Sequence, residues 1–232
     1  MLALRDPPAR VWDPVMKRRR KLIRGVFDRL FSALGPQYWW PADTPFEVIV
    51  GAILTQNTAW RNVKQAIGRL RESNLLTGEA INAVSLQDLA SLIRSSGYYN
   101  QKARKLKAFC EHVQNHWQGR LNDFLSQDME NLRAELLGLH GIGPETADSI
   151  ILYAAGQPSF VVDAYTHRIF HRHGWVPEAV QYEDLRSYFM EALEPDPAMY
   201  QEYHALLVRT GHLYCRRKPT CGSCPLHEWE QD

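Results

Sequence analysis

Apolar residues recur along this chain at helical rather than strand spacing. Met129, Leu132 and Leu136 make one stripe, and Ala147, Ile150, Ile151 and Ala154 fall at i, i+3, i+4 and i+7 of another. Ala103, Leu106, Cys110 and Val113 form a third, and Phe46, Ile49, Val50 and Ile53 a fourth. The period predicts helices over about 14–34, 44–56, 59–72, 87–95, 100–117, 129–137, 144–155, 164–173, 181–193 and 197–213, with Gly, Pro and Asn in the gaps and no strand. An all-α fold is expected. Thr44 and Glu47 stand at capping-box spacing with Pro45 at the first helical position, which marks one helix start. Glu194, Pro195, Asp196 and Pro197 separate the last two helices.

Between two of these helices the chain reads LHGIGPETA. Gly141 and Gly143 flank Ile142 and allow positive φ and close approach to a ligand, while Pro144 and Glu145 suit a first helical turn. Such a turn presents unpaired amide N–H groups at the positive end of a helix dipole, a device that binds phosphate. Taken alone it is also an ordinary helix connection. Asp163 follows Gly143 by twenty positions, after the apolar run Phe160, Val161, Val162. In isolation it reads as the N-cap of the next helix.

Together, Leu139, Gly141, Gly143, Thr146 and Ala147, then Pro158, Val162, Asp163 and Arg168, are more specific than any one of them. The set resembles the helix-hairpin-helix DNA glycosylases of the endonuclease III type, closest to their 3-methyladenine branch. Segment 44–58, which ends around Gln56, and the stretch SGYYNQKA at 96–103, which holds Tyr98, resemble two further elements of that family. The resemblance spans roughly residues 40–225. It implies a helical barrel lobe at 36–156 carrying the hairpin, a second lobe built from 1–35 with 157–232, and a cleft between them faced by Asp163. It also implies double-stranded DNA containing damaged bases as the partner. Gln56, Tyr98, Leu139, Gly141, Gly143, Thr146 and Arg168 would contact that DNA. Asp163 would be catalytic, stabilising positive charge on the sugar or activating water. Family members that also cleave the backbone carry a lysine where Glu145 stands, and a carboxylate forms no imine, so the resemblance implies a monofunctional enzyme. The alternatives are a bifunctional glycosylase and lyase for other lesions, and a non-catalytic helix-hairpin-helix DNA-binding protein.

Composition adds few constraints. A net charge of +1 does not announce a nucleic-acid binder, so the distribution of charge carries that argument. Basic residues run from Lys17 to Arg24, from Lys102 to Lys107, and through Arg168, Arg172, Arg216, Arg217 and Lys218. Trp39, Trp40, Pro41 and Phe46 concentrate aromatic surface just before Gln56. They read either as lobe packing or as a stacking pocket for an extruded base, and indole faces suit a cationic alkylated purine. The W-W-P element is also what the 3-methyladenine branch carries.

Cys215, Cys221 and Cys224 give C-x5-C-x2-C, whereas endonuclease III relatives often hold an iron-sulfur cluster in C-x6-C-x2-C-x5-C. Glu230 stands where the fourth cysteine would fall, so no cluster and no required cofactor is expected. His227 offers an alternative fourth ligand for zinc, and His167 with His171 lack a third ligand. Cys110 lies on an apolar helical face and reads as a core thiol. No apolar run reaches membrane-span length, and MLALRDPPARVWD lacks the apolar centre of a signal peptide. The expectation is a cytoplasmic, monomeric protein without disulfides.

Overall fold

A computed structural model describes residues 14–227, and every regular element among them is helical. The N-terminal stretch before residue 14 and Glu230 lie outside the described residues. The helices are α1 Pro14–Leu34, α2 Pro45–Leu54, α3 Trp60–Glu72, α4 Gly78–Ala83, α5 Leu86–Leu92, α6 Tyr99–Trp117, α7 Leu121–Leu125 and α8 Met129–Leu137. They continue as α9 Pro144–Ser149, α10 Ala164–Arg172, α11 Tyr182–Met190 and α12 Pro197–Leu213. Helices α4 and α7 are too short for a 3.6-residue period to reveal. The helix expected over 144–155 changes character inside: α9 opens into a π-helical turn, Ile150–Ala154. The capping box at α2 is half realised. Thr44 Oγ1 accepts from Glu47 N at 3.2 Å, but the Glu47 carboxylate accepts from Asp43 N at 3.3 Å and pairs with Arg71 at 2.6 Å.

Each amphipathic helix must bury its stripe against another, and here the stripes gather into two cores. One holds Ile49, Ile53, Val63, Leu70, Leu106, Leu132 and Leu136. The other holds Ile23, Leu30, Phe170, Tyr203, Leu206 and the stacked pair Phe160–Phe189, whose ring centroids are 4.1 Å apart. Ile151 belongs to the first core and Leu152 to the second, so the π turn is the point where the chain passes between them. Cys110 lies in the first core, where burial pushes its thiol up to about 12, which makes it an inert filler.

The passage between cores is bolted by Asp148, whose side chain is 0% exposed. Its carboxylate accepts from Arg133 at 2.9 Å, Ser159 Oγ at 2.5 Å and Tyr182 OH at 2.9 Å, and pairs with Arg186 at 3.2 Å. Arg133 also bonds Glu183 at 2.7 Å. These bonds join α8, α9, α11 and the strand-like approach to α10. On the far side, α10 rests on α12 where Gly211 leaves room for the Tyr165 ring: a Cβ at 211 would lie 2.3 Å from Tyr165 Cδ1.

Candidate active site

The hairpin between α8 and α9 uses its two glycines differently. Gly141 takes φ +80, as expected, but Gly143 is extended at φ −94 and serves as the N-cap of α9 without a side-chain bond. Expecting positive φ at both was therefore too broad. Gln56, half-buried just past α2, donates to Gly141 O at 3.1 Å and to Thr146 Oγ1 at 3.0 Å, and its Oε1 accepts from Lys105 Nζ. The Gln56 amide expected to face DNA is thus bonded to the hairpin. Leu139 is half-buried and packs on the first core. Tyr98 is 68% exposed in a left-handed conformation. Beneath these loops Lys102 donates to Leu54 O at 2.9 Å and Ser96 O at 2.7 Å, tying the Gln56 turn to the Tyr98 loop. Burial, reinforced by the Lys105 charge, lowers its ammonium to about 8.

Asp163 fulfils the N-cap expectation with one oxygen only. Oδ1 accepts from Thr166 N at 2.7 Å and Thr166 Oγ1 at 2.9 Å, whereas Oδ2 faces His204 Nε2 at 3.7 Å. The side chain is 10% exposed. Burial works to raise its pKa, but the His204 imidazole and the Thr166 donors outweigh it and hold the carboxyl below its ordinary value. Glu145, exposed in the first turn of α9, is near enough to feel the charge of Asp163. Partial desolvation and then the charge of Asp163 push it up to about 7, against the opposing pull of His204. The cleft therefore holds one firmly ionised carboxylate and one that titrates near neutrality.

His204, on α12, links this carboxylate to the aromatic cluster. Its Nδ1 lies 2.7 Å from Tyr153 OH, and the Tyr153 ring lies 5.1 Å from Trp40. Burial, with help from the Asp163 charge, raises Tyr153 well above the ordinary phenol value, so it is a neutral donor. Trp40 also packs on Trp39 at 5.2 Å and on Trp60 at 5.3 Å. Pro41 follows, exposed. Phe46 is placed elsewhere: it is buried in the first core beside Gly78 and, among the described ring contacts, has none with the tryptophans. Two residues of this line, Trp60 and Tyr153, carry no mark in the sequence. His204 had one usable signal, being a polar side chain beside the apolar stretch Ala205, Leu206, Leu207 of α12.

Arg168 is engaged away from the cleft. Its Nε donates to Cys215 O at 2.7 Å and its guanidinium lies 4.9 Å over the Tyr165 ring. Arg172 donates to Arg216 O at 2.6 Å, and Arg29 donates to Pro225 O. Arginines on carbonyls thus brace the cysteine loop. Cys215, Cys221, Cys224 and His227 border a cavity of about 360 Å3, yet among the described residues no three His, Cys, Asp or Glu side chains converge as metal ligands. Three thiols do not supply the four thiolates of a cubane cluster, and burial raises the Cys224 thiol, disfavouring a thiolate. Other expected basic surface is also engaged: Arg19 pairs with Glu191, Arg20 with Glu194 and Arg24 with Asp28.

A two-core helical fold with a glycine hairpin and a carboxylate in the cleft defines a class, and comparison with known proteins agrees. Residues 50–195 match the model of the HhH-GPD superfamily of base excision DNA repair proteins, and the chain belongs to that family. It is accordingly a base-excision DNA glycosylase with DNA as its partner. A Methanocaldococcus jannaschii protein named as a DNA repair glycosylase is 43% identical over 211 residues, covering 90% of this chain and 96% of the relative. Endonuclease III of Thermotoga maritima is 29% identical, covering 78% and 79%. Among solved structures, the H. pylori 3-methyladenine DNA glycosylase bound to 1,N6-ethenoadenine aligns with TM-score 0.69 at 26% identity, covering 85% of this chain and 97% of that one. A non-covalent endonuclease III–DNA complex aligns with TM-score 0.76 at 25% identity, covering 89% and 92%.

Proposed function

We propose that this glycosylase is monofunctional and removes alkylated purines of the 3-methyladenine type from double-stranded DNA, acting as a cytoplasmic monomer without a cofactor. The observation that carries this reading is the line of neighbouring side chains from Trp40 through Tyr153 and His204 to Asp163, which brings an aromatic surface near an ionised carboxylate. An extruded alkylpurine is cationic, gains from indole faces, and already has a weak glycosidic bond. As that bond breaks, its electron pair goes to the base, which leaves neutral. Asp163 stabilises the positive charge left on the sugar, water forms the new C1′–O bond, and its proton passes to the carboxylate. Glu145 occupies the place of a lyase amine and cannot form an imine, so the abasic strand stays intact. The similarity to the H. pylori enzyme supports the substrate class.

The test is to incubate the protein with duplexes carrying 3-methyladenine, uracil, 8-oxoguanine or thymine glycol and identify the released base, with borohydride present in a parallel reaction. Release of the methylated purine without a trapped adduct is expected. Trp40→Ala should weaken binding of the 3-methyladenine duplex by roughly 1–3 kcal/mol, and that of a neutral lesion by less. Release of another base alone would refute the substrate class, and a trapped adduct would refute the monofunctional reading.

A further inference from the structure

We infer that His204 and Tyr153 are positioning residues for excision, in which the Tyr153 hydroxyl fixes the His204 tautomer that turns Nε2–H toward the free oxygen of Asp163. This rests on the catalytic reading of Asp163. The argument starts from how the two carboxylate oxygens are used. Oδ1 is taken by both donors of Thr166, which hold the carboxylate at the start of α10 but leave Oδ2 unaligned. Glu145 on α9, Tyr153 in the π turn, Tyr165 on α10 and His204 on α12 are the titratable groups that act on Asp163. Of these only His204 has an N–H to turn toward Oδ2. At 3.7 Å it is too far for a formed hydrogen bond and close enough to orient the carboxylate while leaving a lone pair for the reacting sugar.

A neutral imidazole can do this in one tautomer alone. With the proton on Nδ1, the Nε2 lone pair would face a carboxylate and repel it. The phenol of Tyr153 has a single proton and two neighbouring acceptors, His204 Nδ1 at 2.7 Å and Gln201 O at 3.2 Å. Donation to the nearer one leaves Nδ1 as acceptor and places the histidine proton on Nε2. Because the Tyr153 ring also packs on Trp40, the residue that fixes the tautomer is in contact with the indole proposed to stack on the base. The π turn has one more residue per turn than an α-helix would allow and carries Tyr153 to this junction.

Nitrogen NMR of the full chain labelled at histidine reads the tautomer directly, with His204 assigned by the signal that His204→Gln removes. The wild type should show a protonated Nε2 and a bare Nδ1, and Tyr153→Phe should lose that single-tautomer signature. In single-turnover excision from a 3-methyladenine duplex, His204→Leu should be slower by about ten-fold or more with DNA affinity within about two-fold. His204→Gln, which keeps an N–H near the Nε2 position, should recover most of the rate. Tyr153→Phe should slow the wild type less, and slow His204→Leu no further. A wild-type proton on Nδ1 overturns the inference whatever the substrate proves to be. So does a Gln variant as slow as Leu, or a loss seen in affinity rather than rate. Asp163→Asn measured alongside separates the two ideas: an active Asn variant refutes the catalytic reading, while an inactive one beside a fully active His204→Leu refutes the positioning role alone.

Discussion

Asp148 and Asp163 lie fifteen positions apart on consecutive pieces of chain, and their surroundings could hardly differ more. Asp148 is fully enclosed and accepts from Arg133, Ser159 and Tyr182 while also pairing with Arg186. Asp163 uses one oxygen on Thr166 and keeps the other 3.7 Å from a histidine. A carboxylate whose lone pairs are all matched is committed to holding helices together, since any new partner must displace an existing one. One with an unmatched oxygen in a cleft retains something to give. The number of spare acceptor sites therefore separates the structural acid from the one proposed for the chemistry, where charge and burial do not.

Removing the carboxylate at the two sites breaks the comparison in opposite directions. Asp163→Asn should slow excision by roughly two to four orders of magnitude, and it should barely move thermal stability, because Asn caps a helix about as well as Asp. Asp148→Ala leaves the buried Arg186 without its ionic partner and Arg133 with Glu183 alone, and should cost about 3–5 kcal/mol in denaturant unfolding. Equal stability losses at both sites would erase the distinction.

Glu145 sharpens the contrast, since its carboxyl is raised from about 4.5 to about 7 when the protein folds. Between those values the folded chain holds a proton that the unfolded chain has released, so this group's contribution to stability falls as pH rises through the window and is fully lost above about 7. Glu145→Gln should flatten that part of the stability–pH curve and leave the variant more stable than wild type at pH 8. An unchanged slope would show that Glu145 ionises normally. The smallest effect is expected from Cys221→Ser. The cysteine loop is braced by Arg168, Arg172 and Arg29 on carbonyl oxygens, so melting temperature and excision should both stay within error, with or without a chelator. Chelator-induced unfolding would show that the loop depends on metal.

What could be read in the sequence was local. The stripe Met129, Leu132, Leu136 marks α8, and the glycine hairpin announces the turn before α9, because helix periods and turn residues are written over a few neighbouring positions. Asp163 was legible as an N-cap, which its Oδ1 fulfils, and the catalytic role proposed for it falls to the other oxygen. Contacts between distant segments were not legible. His204 meets Asp163 across 41 positions, Trp60 joins Trp40 from the start of α3, and Phe46, a sequence neighbour of the tryptophans, turns into the core. The π turn was invisible for a related reason, since one extra residue in a helical run leaves the apolar pattern almost unchanged. The basic runs misled most. Lysines counted as surface charge are engaged on Leu54 O, Ser96 O and Gln56.

Gly211 sets a gauge for all of this. The Tyr165 ring lies directly on its backbone, two residues from Asp163, while His204 stands two turns earlier on the same helix α12. The gap between carboxylate and imidazole is thus fixed by how closely two helices can touch where one has no side chain. A methyl group at 211 would work as a shim, lifting the start of α10 and widening that gap without altering any group that takes part in the chemistry. The precision of the cleft is in this sense stored outside it, in a hydrogen atom where every other residue would place a carbon.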